Sequence, residues 1–152
     1  MSQFPVVTEM VPVEDVLPHR APMILIDEMV RIDGGIIDCV TTIRADSPFV
    51  VDGRVPAIVG LEYMAQSVGA LLGLWVLLEG GRLTGGLLLG TRELELRVDS
   101  FAVGDRLDIR CCHEWGNDDI WRFGCALRRE GELLMEGSLT VLRMRPELEV
   151  AS

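Results

Sequence analysis

The run from Ala57 to Leu78 contains one side chain that carries charge at neutral pH, Glu62. A stretch that long and that apolar either crosses a membrane or becomes the buried centre of a fold. Glu62 and Gln66 near one end, the lack of a second such span, and the polar-alternating segments that follow favour a buried helix over a membrane segment. Its polar and small residues are ordered: Glu62, Gln66, Gly69 and Gly73 recur every three or four positions and share one face. That face is expected to meet a polar site or a closely approaching backbone. An ionisable group on such a helix must be neutralised, paired or used, so Glu62 is the leading candidate for chemistry.

Pro56 suits the first helical position, and the amides of the first turn, Ala57 to Gly60, would then be free to face a carbonyl oxygen gaining negative charge. Gly80-Gly81 ends the helix after Glu79. Beyond it the period changes to two: Leu94, Leu96 and Val98, then Leu107, Ile109 and Cys111, then Trp121, Phe123, Cys125 and Leu127 alternate with more polar residues. Turns are supplied by Val103-Gly104-Asp105, Gly116 to Asp119 and Glu130-Gly131-Glu132, the last opening a strand through Leu142. Ahead of the helix, Met29 to Ile32 and Ile36 to Arg44 flank Asp33-Gly34-Gly35, a further hairpin. The expected order is two strands, one long helix and a four-strand meander. This is an α+β chain in which an antiparallel sheet wraps one apolar central helix, a single domain over residues 1–152. One sheet covers only one side of a helix, so a second copy of the chain or an extra layer is expected on the other.

Composition narrows the function. The net charge is −10, from 24 acidic against 14 basic residues, and every basic residue is arginine. Without lysine there is no Schiff-base chemistry. Without a basic run there is no footprint for nucleic acid, whose affinity depends on clustered positive charge. Cys39, Cys111, Cys112 and Cys125 lack C-x-x-C spacing, and nothing before Phe4 resembles a signal peptide, so reduced thiols and a cytoplasmic location are expected. Cys111 and His113 share a strand face, but two ligands do not make a metal site, and no metal or other cofactor is expected.

Leu17-Pro18-His19-Arg20-Ala21-Pro22-Met23-Ile24-Leu25-Ile26-Asp27 resembles the L-P-H-R-x-P-x-x-L-x-D opening of the hot-dog-fold 3-hydroxyacyl-[acyl-carrier-protein] dehydratases. Pro48-Phe49, Pro56, Glu62 and Met64-Ala65-Gln66 resemble that family's P-F loop and its P-G-x-x-x-x-E-x-M-A-Q helix. The wording from Val59 to Gln66 is closer still to a dehydratase-like subgroup of aryl-polyene and related fatty-acid-like pathways.

The resemblance implies a hot-dog fold and removal of water from a 3-hydroxyacyl thioester on acyl carrier protein, giving the trans-2-enoyl thioester. In that family a histidine takes the C2 proton, a helix carboxyl group protonates the departing hydroxyl, and a helix N-terminal amide holds the thioester oxygen. Glu62 matches the carboxyl position, and an apolar helix is expected to desolvate it and raise its pKa for acid work. Ala57, Gly60 and Gln66 are the corresponding substrate-binding positions. The family's loop histidine has no counterpart, because Phe49 leads through Val50 to Val55 to Pro56 without one. Three residues compete for the base: His19, whose alternative role is to fix a turn; Asp52 in the shortened loop, whose alternative is the turn itself; and His113, whose alternative is a place in the core.

The enzyme reading is therefore a dehydratase using Glu62 with His19 or with a base from another protomer, and its close variant is an acyl thioesterase. The other class is a non-catalytic hot-dog subunit that binds acyl carrier protein or an active homologue. Implied partners are acyl carrier protein with its acyl-phosphopantetheine and a homodimeric or heterodimeric hot-dog mate. Because the carrier is acidic like this chain, docking would need a local arginine patch, for which Arg54, Arg82, Arg92 and Arg97 are the candidates.

Overall fold

The computed structural model describes residues 4–81 and 87–142. Its centre is the helix α1, Gly60–Leu78, about 28 Å long at 1.5 Å per residue. Met64, Val68, Ala70, Leu71, Leu74 and Trp75 on it are buried. By length and composition alone α1 could cross a membrane, yet 67% of its most apolar window lies inside the fold. Its C-terminus closes as the glycine pair anticipates. Gly80 takes a left-handed φ of 84°, its N–H donates to the Leu77 carbonyl at 3.0 Å, and Gly81 N–H donates to Val76 at 2.9 Å.

The N-terminus differs from expectation. Pro56, with ψ 137°, is extended and ends the short strand β3, Arg54–Pro56. A 3-10 turn, Ala57–Val59, leads into α1. Proline's fixed φ suits a strand end as well as a first helical residue, and pairing with Ser100 decides between them.

Six strands wrap the helix: β1 Glu28–Asp33, β2 Ile36–Thr42, β4 Leu87–Leu96, β6 Arg106–Gly116, β7 Ile120–Arg129 and β8 Glu132–Leu142. All adjacent pairs are antiparallel, in the order β1-β2-β6-β7-β8-β4. The four-strand meander is thus a three-strand one. β4 sits at the far edge beside β8, and the chain returns to the centre through β5, Ser100–Ala102, which pairs with β3 in a separate ribbon. Alternation marks a strand without naming its neighbour. Here the ribbon buries Val55 and Phe101 and carries the chain from the sheet edge back to β6.

The extra layer comes from the chain's own N-terminal segment. Val13, Val16, Leu17, Leu25 and Ile26 are buried and join the one hydrophobic core that the sheet and helix build. A Cβ on Gly73 would overlap the Val16 carbonyl oxygen and lie 2.9 Å from its carbon. The small-residue face of the helix therefore meets a closely approaching backbone. At the other end of the sheet, Phe4 stacks on Trp75 with centroids 5.1 Å apart, while His113 lies edge-on to Trp121 at 4.6 Å.

Candidate active site

The segment that covers the helix carries the Leu-Pro-His-Arg motif past the first turns of α1. A 3-10 turn, Val13–Asp15, starts it, and Leu17 N–H donates back to Val13 O at 3.0 Å. Two residues later His19 faces the helix.

Gln66 ties this strap down. It is 1% exposed. Its Oε1 accepts the Leu25 N–H at 2.8 Å, and its Nε2 donates to the Met23 carbonyl at 2.7 Å and to Glu62 Oε1 at 3.0 Å. One strap donor and one strap acceptor fix the amide's orientation, and both N–H groups are used. Neither N–H group is left over to donate to a ligand, against the expectation of a substrate-binding Gln66; one of them goes to Glu62, one turn earlier on the same face.

Glu62 Oε1 in turn lies 3.7 Å from His19 Nε2. The structure therefore brings together one candidate base, the candidate acid and a residue that holds the acid. The His19 Nδ1 atom is buried and has no hydrogen-bond partner among the described residues. Glu62 itself is 43% exposed in the single chain. The desolvation anticipated from the apolar helix is absent because Glu62 lies in the first turn, at the open end of α1, where Ile58 is also exposed.

The other expected site residues go elsewhere. Asp52 and Gly53 form a tight turn with φ 52° and 75°, closed by reciprocal bonds between Val51 and Arg54 at 2.8 and 3.1 Å. Asp52 is exposed there and joins neither His19 nor Glu62 by a hydrogen bond or ion pair; the turn accounts for it. The Ala57 amide is taken, donating to Asp99 O at 2.9 Å. Gly60 N–H bonds back to the Ala57 carbonyl. Gly60 is needed for space, since a Cβ would lie 2.6 Å from Met135 Sδ. Neither is a free oxyanion donor: the first is recruited by the β5 ribbon and the second by the 3-10 turn.

His113 packs against Phe4, Trp121 and Phe123, where burial holds its pKa below the ordinary value. Burial pushes the Cys39 thiol up to about 12 and Cys111 well above its usual range, so both stay protonated and inert. Of the arginines expected to gather, Arg97 is paired with Glu95 and Glu136, each at 3.6 Å. Arg54 donates to Ser100, and Arg82 lies outside the described residues. Sequence reasoning missed the Met23 carbonyl and the Leu25 amide, which no side chain announces. It also gave no role to Tyr63, the chain's one tyrosine, which an otherwise aliphatic helix turn could have singled out.

The chain is 28% identical over 141 residues to a 3-hydroxyacyl-[acyl-carrier-protein] dehydratase FabZ of Agrobacterium fabrum, covering 86% of each, and 25% identical to that of Sinorhizobium medicae over the same shares. Among solved structures it resembles the dehydratase heterocomplex ApeI:P from Xenorhabdus doucetiae, with a TM-score of 0.85, 27% identity and coverage of 93% of this chain and 98% of that one. A hypothetical thioesterase of Streptococcus pneumoniae, with a TM-score of 0.61 at 12% identity over 78% of this chain and 86% of that one, shares the fold alone. The helix wrapped by an antiparallel sheet is thus the hot-dog fold. With the family model for ApeP dehydratases matching residues 11–151, the chain belongs to the ApeP-like dehydratase family.

Proposed function

We propose that this chain dehydrates a 3-hydroxyacyl thioester on acyl carrier protein to the trans-2-enoyl thioester, in the cytoplasm, within an aryl-polyene or similar fatty-acid-like pathway. The observation that carries the reading is Glu62, clamped by Gln66 and 3.7 Å from His19 Nε2. Because Oε1 accepts from Gln66, the acid proton of Glu62 resides on the other oxygen, free to meet the substrate's 3-hydroxyl. His19 takes the C2 proton, the C2–H electrons form the C2=C3 bond, the C3–O bond breaks, and Glu62 gives its proton to the leaving oxygen as water departs. Turnover leaves imidazolium beside carboxylate, and proton return between them resets the site without any cofactor.

A second reading has support of its own. Leu88, Leu89, Ile58 and Phe49 are exposed, β4 is a sheet edge, and the similar ApeI:P structure is a heterocomplex. We infer that a related hot-dog protein packs on this chain and covers the open end of α1, desolvating Glu62 as acid catalysis requires. In its strong form this chain is the partner subunit and the mate does the chemistry.

Incubating the purified chain alone with 3-hydroxyacyl carrier-protein thioesters of short, long and aryl type, followed by mass analysis, tests both. Loss of water supports the dehydratase. Thioester cleavage overturns it in favour of hydrolysis, and no reaction by folded protein overturns it in favour of the partner subunit.

A further inference from the structure

Tyr63 directly follows Glu62 and has no role in the chemistry above. Its side chain is 3% exposed, and its hydroxyl makes no hydrogen bond among the described residues. Its oxygen is not sealed from solvent, so the ring is buried while its polar tip stays open to a partner. Tyr63 lines a cavity of about 230 Å³ between the strap, the end of β2 and the turn that follows it.

The lining defines what fits. Pro22, Ile24, Leu25 and Pro48 give an apolar wall. Opposite, Asp27 accepts from Thr42 N–H at 2.9 Å and from both terminal nitrogens of Arg44 at 3.0 Å, so the cavity's guanidinium is already neutralised. A charged ligand gains little there. Burial, with the negative charge of Asp27 second, pushes the Tyr63 phenol up to about 12, so at neutral pH it donates. What fits such a lining is one neutral acceptor beside methyl or methylene groups. The volume is below the 300 Å³ or more typical of whole drug-sized ligands, and suits one segment of an extended chain.

The strap that walls this cavity at Leu25 is the one Gln66 grips from the helix. A ligand segment lying here rests against the strap that Gln66 ties to the helix carrying Glu62. The geometry points to this cavity as the seat of an amide segment of the pantetheine arm that carries the acyl group, with the Tyr63 hydroxyl donating to the amide carbonyl. The inference rests on the proposed thioester substrate. Tyr63 is a positioning residue: it places the arm and takes no part in the proton transfers.

The test uses pantetheine alone, titrated into isotope-labelled protein and followed by amide chemical shifts. Wild type is expected to shift at Leu25, Thr41, Thr42 and Ser47. Tyr63→Phe, which removes only the unbonded hydroxyl, is expected to keep its thermal midpoint and to bind about five- to tenfold more weakly, the worth of one neutral hydrogen bond. Shifts elsewhere, no shifts, or equal affinity in Tyr63→Phe overturn the site. Because this readout needs no turnover, its outcome is separate from the mass assay: pantetheine seated here by a protein that performs no dehydration would leave the site standing and sink the reaction.

Discussion

Gly69 and Gly73 lie on the same face of α1 one turn apart, and their replacement by alanine should move stability in opposite directions. In a helix interior Gly→Ala gains about 1 kcal/mol from propensity. At Gly69 the new methyl would meet only Leu17 Cδ2 at 3.4 Å, an ordinary contact with a flexible tip, so most of that gain should be realised. At Gly73 it would overlap the Val16 carbonyl oxygen and press on Val16 C at 2.9 Å and Cβ at 3.2 Å. Backbone must move, which places the cost at the upper end of the roughly 1–3 kcal/mol of overpacking and leaves a net loss of about 2 kcal/mol. For a chain of this size 1 kcal/mol shifts the midpoint by about 2–4 °C. Thermal unfolding should therefore show Gly69→Ala raised by about 2–4 °C and Gly73→Ala lowered by about 4–8 °C. Equal midpoints, or Gly73→Ala the more stable, would refute the packing of the strap on the helix. With it would go the argument that this strap delivers His19 to Glu62.

Glu62→Gln should abolish turnover while leaving the thermal midpoint within about 2 °C, because the site is part-exposed and Gln66 keeps its strap bonds; full activity would remove Glu62 from the chemistry. His19→Ala should lower kcat by a factor of about 10² or more with the fold intact, whereas Asp52→Asn, which keeps the turn, should leave kcat unchanged. Gln66→Leu strands the buried Leu25 amide, at about 1–3 kcal/mol, opens the part-buried bond to the Met23 carbonyl and frees Glu62; stability to denaturant and kcat should both fall. His113, held below its ordinary value of 6.5 by burial, is neutral in the fold but protonates readily once unfolded. Its contribution is present above 6.5 and lost as pH drops through the folded value, so His113→Phe should flatten the acid-side loss of stability in unfolding curves between pH 7.5 and 5.

The helix and its lone carboxylate were legible because both are local. A charge-free run bounded by Pro56 and a glycine pair allows few arrangements, and one carboxylate on it has few uses. The turns were legible for the same reason, since Asp33-Gly34-Gly35 and Glu130-Gly131 restrict the backbone wherever they occur. The Leu-Pro-His-Arg and Glu-x-Met-Ala-Gln spacings were enough to point to the family. Partners were not legible. Period two over Glu93 to Val98 caught only the end of β4, which starts at Leu87 and stops at Leu96, and not its pairing with β8 across the sheet, and Pro56 fitted a helix start until Ser100 paired with it.

Sequence by itself determined an apolar helix with Glu62 and Gln66 on its small-residue face, antiparallel strands to wrap it, and two histidines to choose between. Only the tertiary structure decided that the strap supplies the missing layer, that His19 meets Glu62 while His113 packs among aromatic rings, that Gln66 spends its amide on the strap and on Glu62, and that the Ala57 amide is spent on Asp99. The division has one physical cause. Propensity and hydrophobic period act within a few residues, whereas a hydrogen bond such as that from Leu25 to Gln66 joins groups 41 residues apart and depends on how every intervening element packs.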